Sequence, residues 1–286
     1  MEGNKKPFVL GIITARGGSI RLPRKNIKLF CGHPLVAWSI IQSRCSRLID
    51  ATVLTTDDDE IAEVGKKYGA IIIRRPVMDD DTTAGVPFRM AVEELEKGGM
   101  KIDQIVSMLP TSPLKKPDDL DNMIWAFQYH NNFLNAYKQT ELDVEENEMA
   151  IFSPDRETFV FTNVEDMTNN YGVPYHLNHC IADKNWHYSK LGGGWGIAKR
   201  NYLMDLWNEQ PKLDSVIDAQ LKDLMFKGRK NILGHAIEPW QCFETDYDHY
   251  FKVCEVLMEE FILKGKGMDV YTRYARNFRK VVRIEQ

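Results

Sequence analysis

Cysteine is scarce and scattered: Cys31, Cys45, Cys180, Cys242 and Cys254 are odd in number and form no CxxC pair. That excludes a disulfide framework and a zinc knuckle and leaves buried, reduced thiols. Long apolar runs are missing as well. No stretch approaches the roughly 20 apolar residues of a membrane-spanning helix. The N-terminus "MEGNKKPFVLGII" has neither the apolar core nor the small-residue cleavage site of a signal peptide. The expectation is a cytoplasmic protein with no membrane partner. A basic excess is absent too, with 37 Lys and Arg against 41 Asp and Glu and a net charge of -4. Nucleic acid is therefore not an expected partner, and any anion must be met by a local cluster. Internal repeats and low-complexity tracts are not found.

What the chain has is length and alternation. Its 286 residues, 43% hydrophobic and 27% charged, suffice for a sizeable core in a single α/β domain spanning residues 1–286. "FVLGIITA" reads as a buried strand, followed by a glycine-rich loop and the helical pattern "PLVAWSIIQSRCS". "ATVLTT" is a second strand. "DDDEIAEVGKKYG" is a helix with acids in its first turn, lysines in its last and Gly69 as its stop. Strand "AIII", a helix through "VPFRMAVEELEKGG", strand "QIVSML" and a helix around "LDNMIWAFQYH" continue the rhythm. Short apolar strands alternating with amphipathic helices predict a mostly parallel, doubly wound sheet with ligands at the carboxyl ends of its strands.

From 140 to 190 the regularity fades into short strands such as "MAIFS" and "TFVFT", read as a small irregular insertion for acceptor or subunit contacts. The rhythm resumes with "WGIAKRNYLMDLW", "NILGHAI" and a helix from about Tyr247 to Leu263. Residues 264–286 are basic and weakly patterned, and are expected to form a surface extension or an interface arm. His176, His179, Cys180 and His187 fall within the insertion, but their spacing fits no familiar zinc site, and ordinary polar contacts explain them.

The chemistry concentrates in "TARGGSIRLPRKN". Gly17, Gly18 and Ser19 directly follow a buried strand, where glycine lets backbone N–H groups turn toward an anion and serine adds a donor. Arg16, Arg21, Arg24, Lys25 and Lys28 supply positive charge with no acid between them. Arginine forks and lysine point charges suit a polyphosphate. The stretch matches neither GxxxxGK[ST] nor GxGxxG, so neither the P-loop nor the dinucleotide mechanism applies. By itself it reads equally as a solvated basic turn.

"ITARGGSIRLPRKNIKLFCGHPLVAWSI" resembles the N-terminal signature of cytidylyltransferases that activate acidic sugars, above all the CMP-sialic acid (CMP-nonulosonate) synthetases. "VLTTDDDEIAEVGKKYGAIIIRRP", "DDDTT", "LPTSPLKKPDDL" and "FETDYDHYFKVCEVL" follow in the family's order. The resemblance implies a Rossmann-like nucleotidyltransferase fold, CTP as donor, Mg²⁺ as cofactor, a homodimer and a role in nucleotide-sugar supply for cell-surface polysaccharide. Carried over by position, Ala15, Arg16, Gly17, Gly18, Ser19, Arg21, Lys25, Asn26, Arg75 and Asp81 would bind the nucleotide. Ala15 would lie at the base edge, Arg16 and Lys25 on the phosphates, and Arg75 and Asp81 around the cytidine. Arg16, Lys25 and Asp81 would be catalytic, Asp81 as a candidate base.

Thr111 and Ser112, in a loop fixed by Pro110 and Pro113, and Lys190 and Gly193 in "SKLGGGWGIAK" would meet the acceptor. Here Leu109 stands where the family carries a glutamine that touches the sugar, and an apolar side chain cannot make that hydrogen bond. The family's DxD metal motif aligns with Cys242 and Glu244. A thiol is a poor Mg²⁺ ligand, so Glu244 and Asp246 are the expected pair, although "ETDYD" also suits a helix N-terminus. These departures keep three other readings open: a phosphonate or other small acidic acceptor, another triphosphate such as GTP, and a non-catalytic nucleotide-binding homologue.

Overall fold

The computed structural model describes residues 6–79, 82, 85–138, 149–153, 159–161, 195–209 and 232–282. Its strands are β1 (Val9–Ala15), β2 (Leu29–Phe30), β3 (His33–Pro34), β4 (Ala51–Thr56), β5 (Ile71–Arg74), β6 (Gln104–Met108), β7 (Met149–Ser153), β8 (Phe159–Phe161), β9 (Trp195–Lys199) and β10 (Ile232–Ala236). Its α-helices are α1 (Leu35–Cys45), α2 (Asp59–Lys67), α3 (Gly85–Lys97), α4 (Asp119–Lys138), α5 (Arg200–Glu209), α6 (Asp248–Leu257) and α7 (Asp269–Val282). One mixed sheet runs β5-β4-β1-β6-β9-β7-β10-β8, and β2 and β3 form a small separate ribbon.

The central strand explains its own sequence. β1 is apolar but for Thr14 because both of its faces are covered. Val9, Ile13 and Ala15 pack with α1, α2 and α4 on one side. Leu10 and Ile12 pack with α3 and α5 on the other. β5, β4, β1 and β6 are all parallel. Ala15 pairs with Thr56, Thr56 with Arg74 and Ile13 with Met108, so the loops after these four strands open on one edge. β9 runs antiparallel and brings Trp195 beside Met108 at that edge.

Helix ends follow local chemistry. The Asp58 carboxylate caps α2 by accepting from the Ile61 N–H at 2.9 Å. Gly69, at φ 84°, takes the left-handed conformation that ends the helix and that a side chain would strain. The helix expected from Tyr247 to Leu263 is α6 followed by a π-helical turn, Met258–Leu263, closed by Lys264 at φ 50°.

The C-terminal stretch corrects the sequence expectation of a surface extension. Tyr271 of α7 is fully buried, packing with Trp38, Phe251 and Met258. The Gln42 side-chain amide donates to its hydroxyl at 3.0 Å, and that hydroxyl donates to the Lys115 carbonyl. Weak patterning hid this because α1 is buried on both sides: Val36 and Ile40 face the sheet, while Leu35, Trp38 and Ile41 face α6 and α7. A helix that looks like a core element from one side needs a second layer on the other.

Candidate active site

The loop after β1 is shaped by acids from β4. The Gly17 N–H donates to Asp57 Oδ1 at 2.9 Å. A methyl group on Gly17 would stand 2.5 Å from Asp58 Oδ2, so only glycine permits this approach. The Ser19 N–H donates to the Gly17 carbonyl at 3.0 Å, closing a tight turn. Arg24 adopts a left-handed conformation, φ 54°, and pairs with Asp58 and, at 2.7 Å, with Glu60. The Arg24 hydrogen bond holds the Asp58 carboxyl below the usual carboxylate range. Lys25 and Asn26 then sit buried in a short 3₁₀ turn, and the Asn26 amide donates to the Arg16 carbonyl at 2.9 Å.

Arg75 follows β5 and is buried, its side chain only 4% exposed beside an Asp57 side chain 7% exposed. Its NH1 donates to Asp57 Oδ2 at 3.3 Å and to the Pro76 carbonyl at 3.1 Å. Burial pushes its pKa down, partly offset by Asp57. Arg75, expected around the cytidine, is an interior residue on the cavity wall.

Opposite lie two segments tied to each other. The Thr245 N–H donates to the Thr111 carbonyl at 2.9 Å, and Ser112 Oγ donates to Glu244 Oε1 at 3.2 Å. Asp246 accepts from Lys25 Nζ at 2.7 Å and from Arg21 at 3.0 Å, Arg21 also standing 5.5 Å from the Tyr247 ring. Lys28 pairs with Asp248 at 2.9 Å, which with Lys252 pulls that carboxyl down to about 2. The glycine loop is thereby strapped to the segment that opens α6.

A cavity of about 560 Å³ lies between these walls. Arg16, Ser19, Arg21, Lys25, Asn26, Arg75, Leu109, Thr111, Glu244 and Asp246, each singled out in the sequence, all line it. Gly17 turns its N–H back onto Asp57, Ala15 is buried at the end of β1, and Ser112 is buried behind Glu244. Gly18 has open space where a side chain would project. Asp81, Lys190, Gly193 and the His176 to His187 group lie outside the described residues, as does the Cys242 side chain.

Sequence reasoning missed several members. Thr14, Met78, Asp79, Thr82, Pro87 and above all Asp57 also line the cavity. The acids of "DDDEIAEV" were read only as a helix start, although their place at the carboxyl end of a parallel strand was the available signal. Lys115 was missed as well. It is fully buried, with its ammonium donating to the Ser112 carbonyl and lying 5.2 Å from the Trp195 ring. Burial lowers its pKa to about 7, against opposing pulls from Asp119 and Glu244. Burial also pushes Asp119 up to about 6, although it accepts hydrogen bonds from the Lys116 N–H and from Gln241.

A cationic glycine loop facing two carboxylates, at the carboxyl edge of a parallel sheet, is the arrangement that the sequence resemblance implied. The family model described as cytidylyltransferase matches residues 10–176. The chain belongs to the cytidylyltransferase family. The pseudaminic acid cytidylyltransferase of Campylobacter jejuni is 34% identical over 173 residues, covering 57% of this chain and 73% of that protein. The CMP-N,N'-diacetyllegionaminic acid synthase of Legionella pneumophila is 31% identical over 119 residues, 41% of this chain and 51% of that one. Among solved structures, a CMP:2-keto-3-deoxy-manno-octonic acid synthetase complexed with CTP shares the fold at a TM-score of 0.58 and 14% identity, covering 88% of this chain and 99% of that one. A cytidylyltransferase of Leptospira borgpetersenii aligns at a TM-score of 0.54 and 16% identity, over 96% of both chains. These confirm the expected cytidylyltransferase fold, with its mostly parallel sheet covered by helices. Among the described residues no helix is long and apolar enough to cross a membrane.

Proposed function

We propose that this cytidylyltransferase moves the cytidylyl group of CTP onto an acidic sugar of the nonulosonate type, the class named for its pseudaminic and legionaminic acid relatives. The observation that carries the reading is the cavity itself, in which Arg16, Arg21 and Lys25 face Glu244 and Asp246. Such a site meets a triphosphate on one wall and a cation on the other.

In this mechanism the anomeric hydroxyl oxygen attacks the α-phosphorus of CTP, the bond from that phosphorus to the bridging oxygen breaks, and pyrophosphate leaves. The reaction depends on positioning and on neutralising charge. Arg16 and Lys25 stabilise the departing pyrophosphate, while Ser19 and Asn26 orient the phosphates. The phosphate oxygens take over the Lys25 ammonium and the Arg21 guanidinium, which Asp246 holds in the cavity. Thr111 borders the acceptor together with Lys190 and Gly193, and Ser112 supports that border from behind through its hydrogen bond to Glu244. Asp81 takes the hydroxyl proton.

Magnesium is the proposed metal. The donors fit it, because Glu244 and Asp246 offer hard carboxylate oxygens, and Mg²⁺ is usually held by one or two carboxylates together with substrate phosphates. Bound there, the ion would neutralise charge on the phosphoryl oxygens. The protein is proposed to act in the cytoplasm, supplying cell-surface polysaccharide, as a homodimer that pairs through residues 140–190; a monomer mass in light scattering would contradict the dimer.

Pyrophosphate release tests the function with CTP, Mg²⁺ and a panel of pseudaminic, legionaminic, N-acetylneuraminic and Kdo-type acids together with a small phosphonate. Release with at least one nonulosonate is expected. Release with a phosphonate alone would overturn the sugar assignment, and CTP binding without release for any acceptor would overturn the enzyme.

A further inference from the structure

The cavity wall farther from the acceptor loops contains a buried ion pair to which the mechanism above gives no work. Asp57 has two oxygens and uses them on different loops: Oδ1 accepts from the Gly17 N–H at 2.9 Å, and Oδ2 accepts from Arg75 at 3.3 Å. Both side chains are more than nine-tenths buried, and both line the cavity. The pairing spans three adjacent strands, because Gly17 follows β1, Asp57 follows β4 and Arg75 follows β5. Arg75 is also incompletely satisfied. Its Nε is buried with no hydrogen-bond partner, and a guanidinium cannot shed its proton to escape that cost. A buried arginine that lines a cavity and keeps one N–H unused has a donor to offer an acceptor atom of a ligand.

We propose that Asp57 is a positioning residue for the nucleotide: its carboxylate sets the glycine turn and aims Arg75 at an acceptor oxygen or nitrogen of the bound nucleotide, joining the two contacts in one rigid unit. The reason for a carboxylate is geometric and electrostatic. One planar group can accept from an N–H on each side, and its charge keeps the Arg75 guanidinium in an interior where Arg16 opposes it. Asparagine could still accept from Gly17 through its carbonyl but would turn an N–H₂ donor toward the arginine, so Asp57→Asn cuts one arm selectively.

The proposal rests on the nucleotide reading of the cavity, and equilibrium binding of CTP to the full chain, measured by titration calorimetry, tests it without requiring turnover. Asp57→Asn is expected to raise the CTP dissociation constant about tenfold, the effect of one charged hydrogen bond. In the Arg75→Met background the same substitution is expected to change it less than twofold, because the group through which Asp57 acts is already gone. Melting temperature serves as the control. If the two substitutions multiply in their effects, or if Asp57→Asn leaves CTP affinity unchanged, the proposal is overturned. Should Asp57→Asn fail to fold, Arg75→Met alone decides: unchanged CTP affinity overturns the proposal and a loss of about tenfold supports it. Failure of the wild-type chain to bind CTP at all would instead overturn the proposed function.

Discussion

The loops that follow β1, β4 and β5 are organised by buried negative charge, whereas the loops that follow β6 and precede α6 are organised around a buried positive one. On the first wall Asp57 and Asp58 hold Gly17, Arg75 and Arg24, and Arg16, Arg21 and Lys25 face the cavity beside Asp57. On the second, Lys115 sits under the Ser112 carbonyl and against Trp195, and the groups facing the cavity include Glu244 and Asp246. Each wall thus holds interior charge opposite to the charge it presents. The difference teaches how a protein of net charge -4 keeps an anion site and a cation site side by side: each set of charged groups at the cavity is backed by interior charge of the opposite sign.

Substitutions can break this contrast at either wall, and the largest effect is expected at the cationic one. Arg16→Ala should lower kcat/KM at least a hundredfold in pyrophosphate release, the scale of losing one preorganised contact to developing charge. Next comes the acidic wall: Glu244→Gln should lower kcat by roughly a hundredfold yet leave CTP affinity within threefold. Equal losses of affinity in the two variants would erase the distinction between the walls.

The buried cation has its own signature. Lys115 titrates near 7 in the folded chain against 10.5 for the free side chain, so the unfolded chain binds the extra proton between those values. Stability contributed by this group is therefore lowest at and below about pH 7 and recovers as pH rises toward 10. Urea unfolding should show a pH-dependent gain of up to about 1.4 kcal/mol per unit between pH 7 and 9 that Lys115→Met abolishes. An identical slope in both proteins would remove the buried charge from the account. Smallest is Leu109→Gln, expected to shift acceptor KM severalfold while CTP KM stays fixed; movement of CTP KM instead would place Leu109 on the nucleotide side.

How much of this was legible in the sequence differs between the same two walls. The parallel half of the sheet could be read because each strand is a short apolar run followed by a helix with clear ends: Asp58 and Gly69 bound α2, and the glycine loop follows β1 directly. The cationic residues of the cavity were likewise legible, since all but Arg75 crowd into 16–28. The partners that hold them were not. Asp57 looks like any acid at the start of a helix, and only the parallel register of β4 against β1 brings it to Gly17. Lys115 looks like half of a solvated "KK" pair, and nothing local says that Trp195, eighty residues later, covers it. The mixed half, β9-β7-β10-β8, is legible only as separate strands, because its order is set by long-range pairing rather than by neighbours in the chain. α7 escaped notice for the same reason: its one decisive residue, Tyr271, is buried by partners distant in the chain, among them Trp38, Gln42 and the Lys115 carbonyl.

The account stands on cytidylyl transfer at this cavity, and ³¹P magnetic resonance of one reaction mixture reads it directly. With the protein, CTP, Mg²⁺ and a nonulosonate such as pseudaminic or legionaminic acid, the expected result is loss of the three CTP resonances and growth, in equal amounts, of a sugar phosphodiester signal and pyrophosphate. CTP that persists unchanged with every such acid, or that breaks down to CMP without a phosphodiester signal, would contradict it.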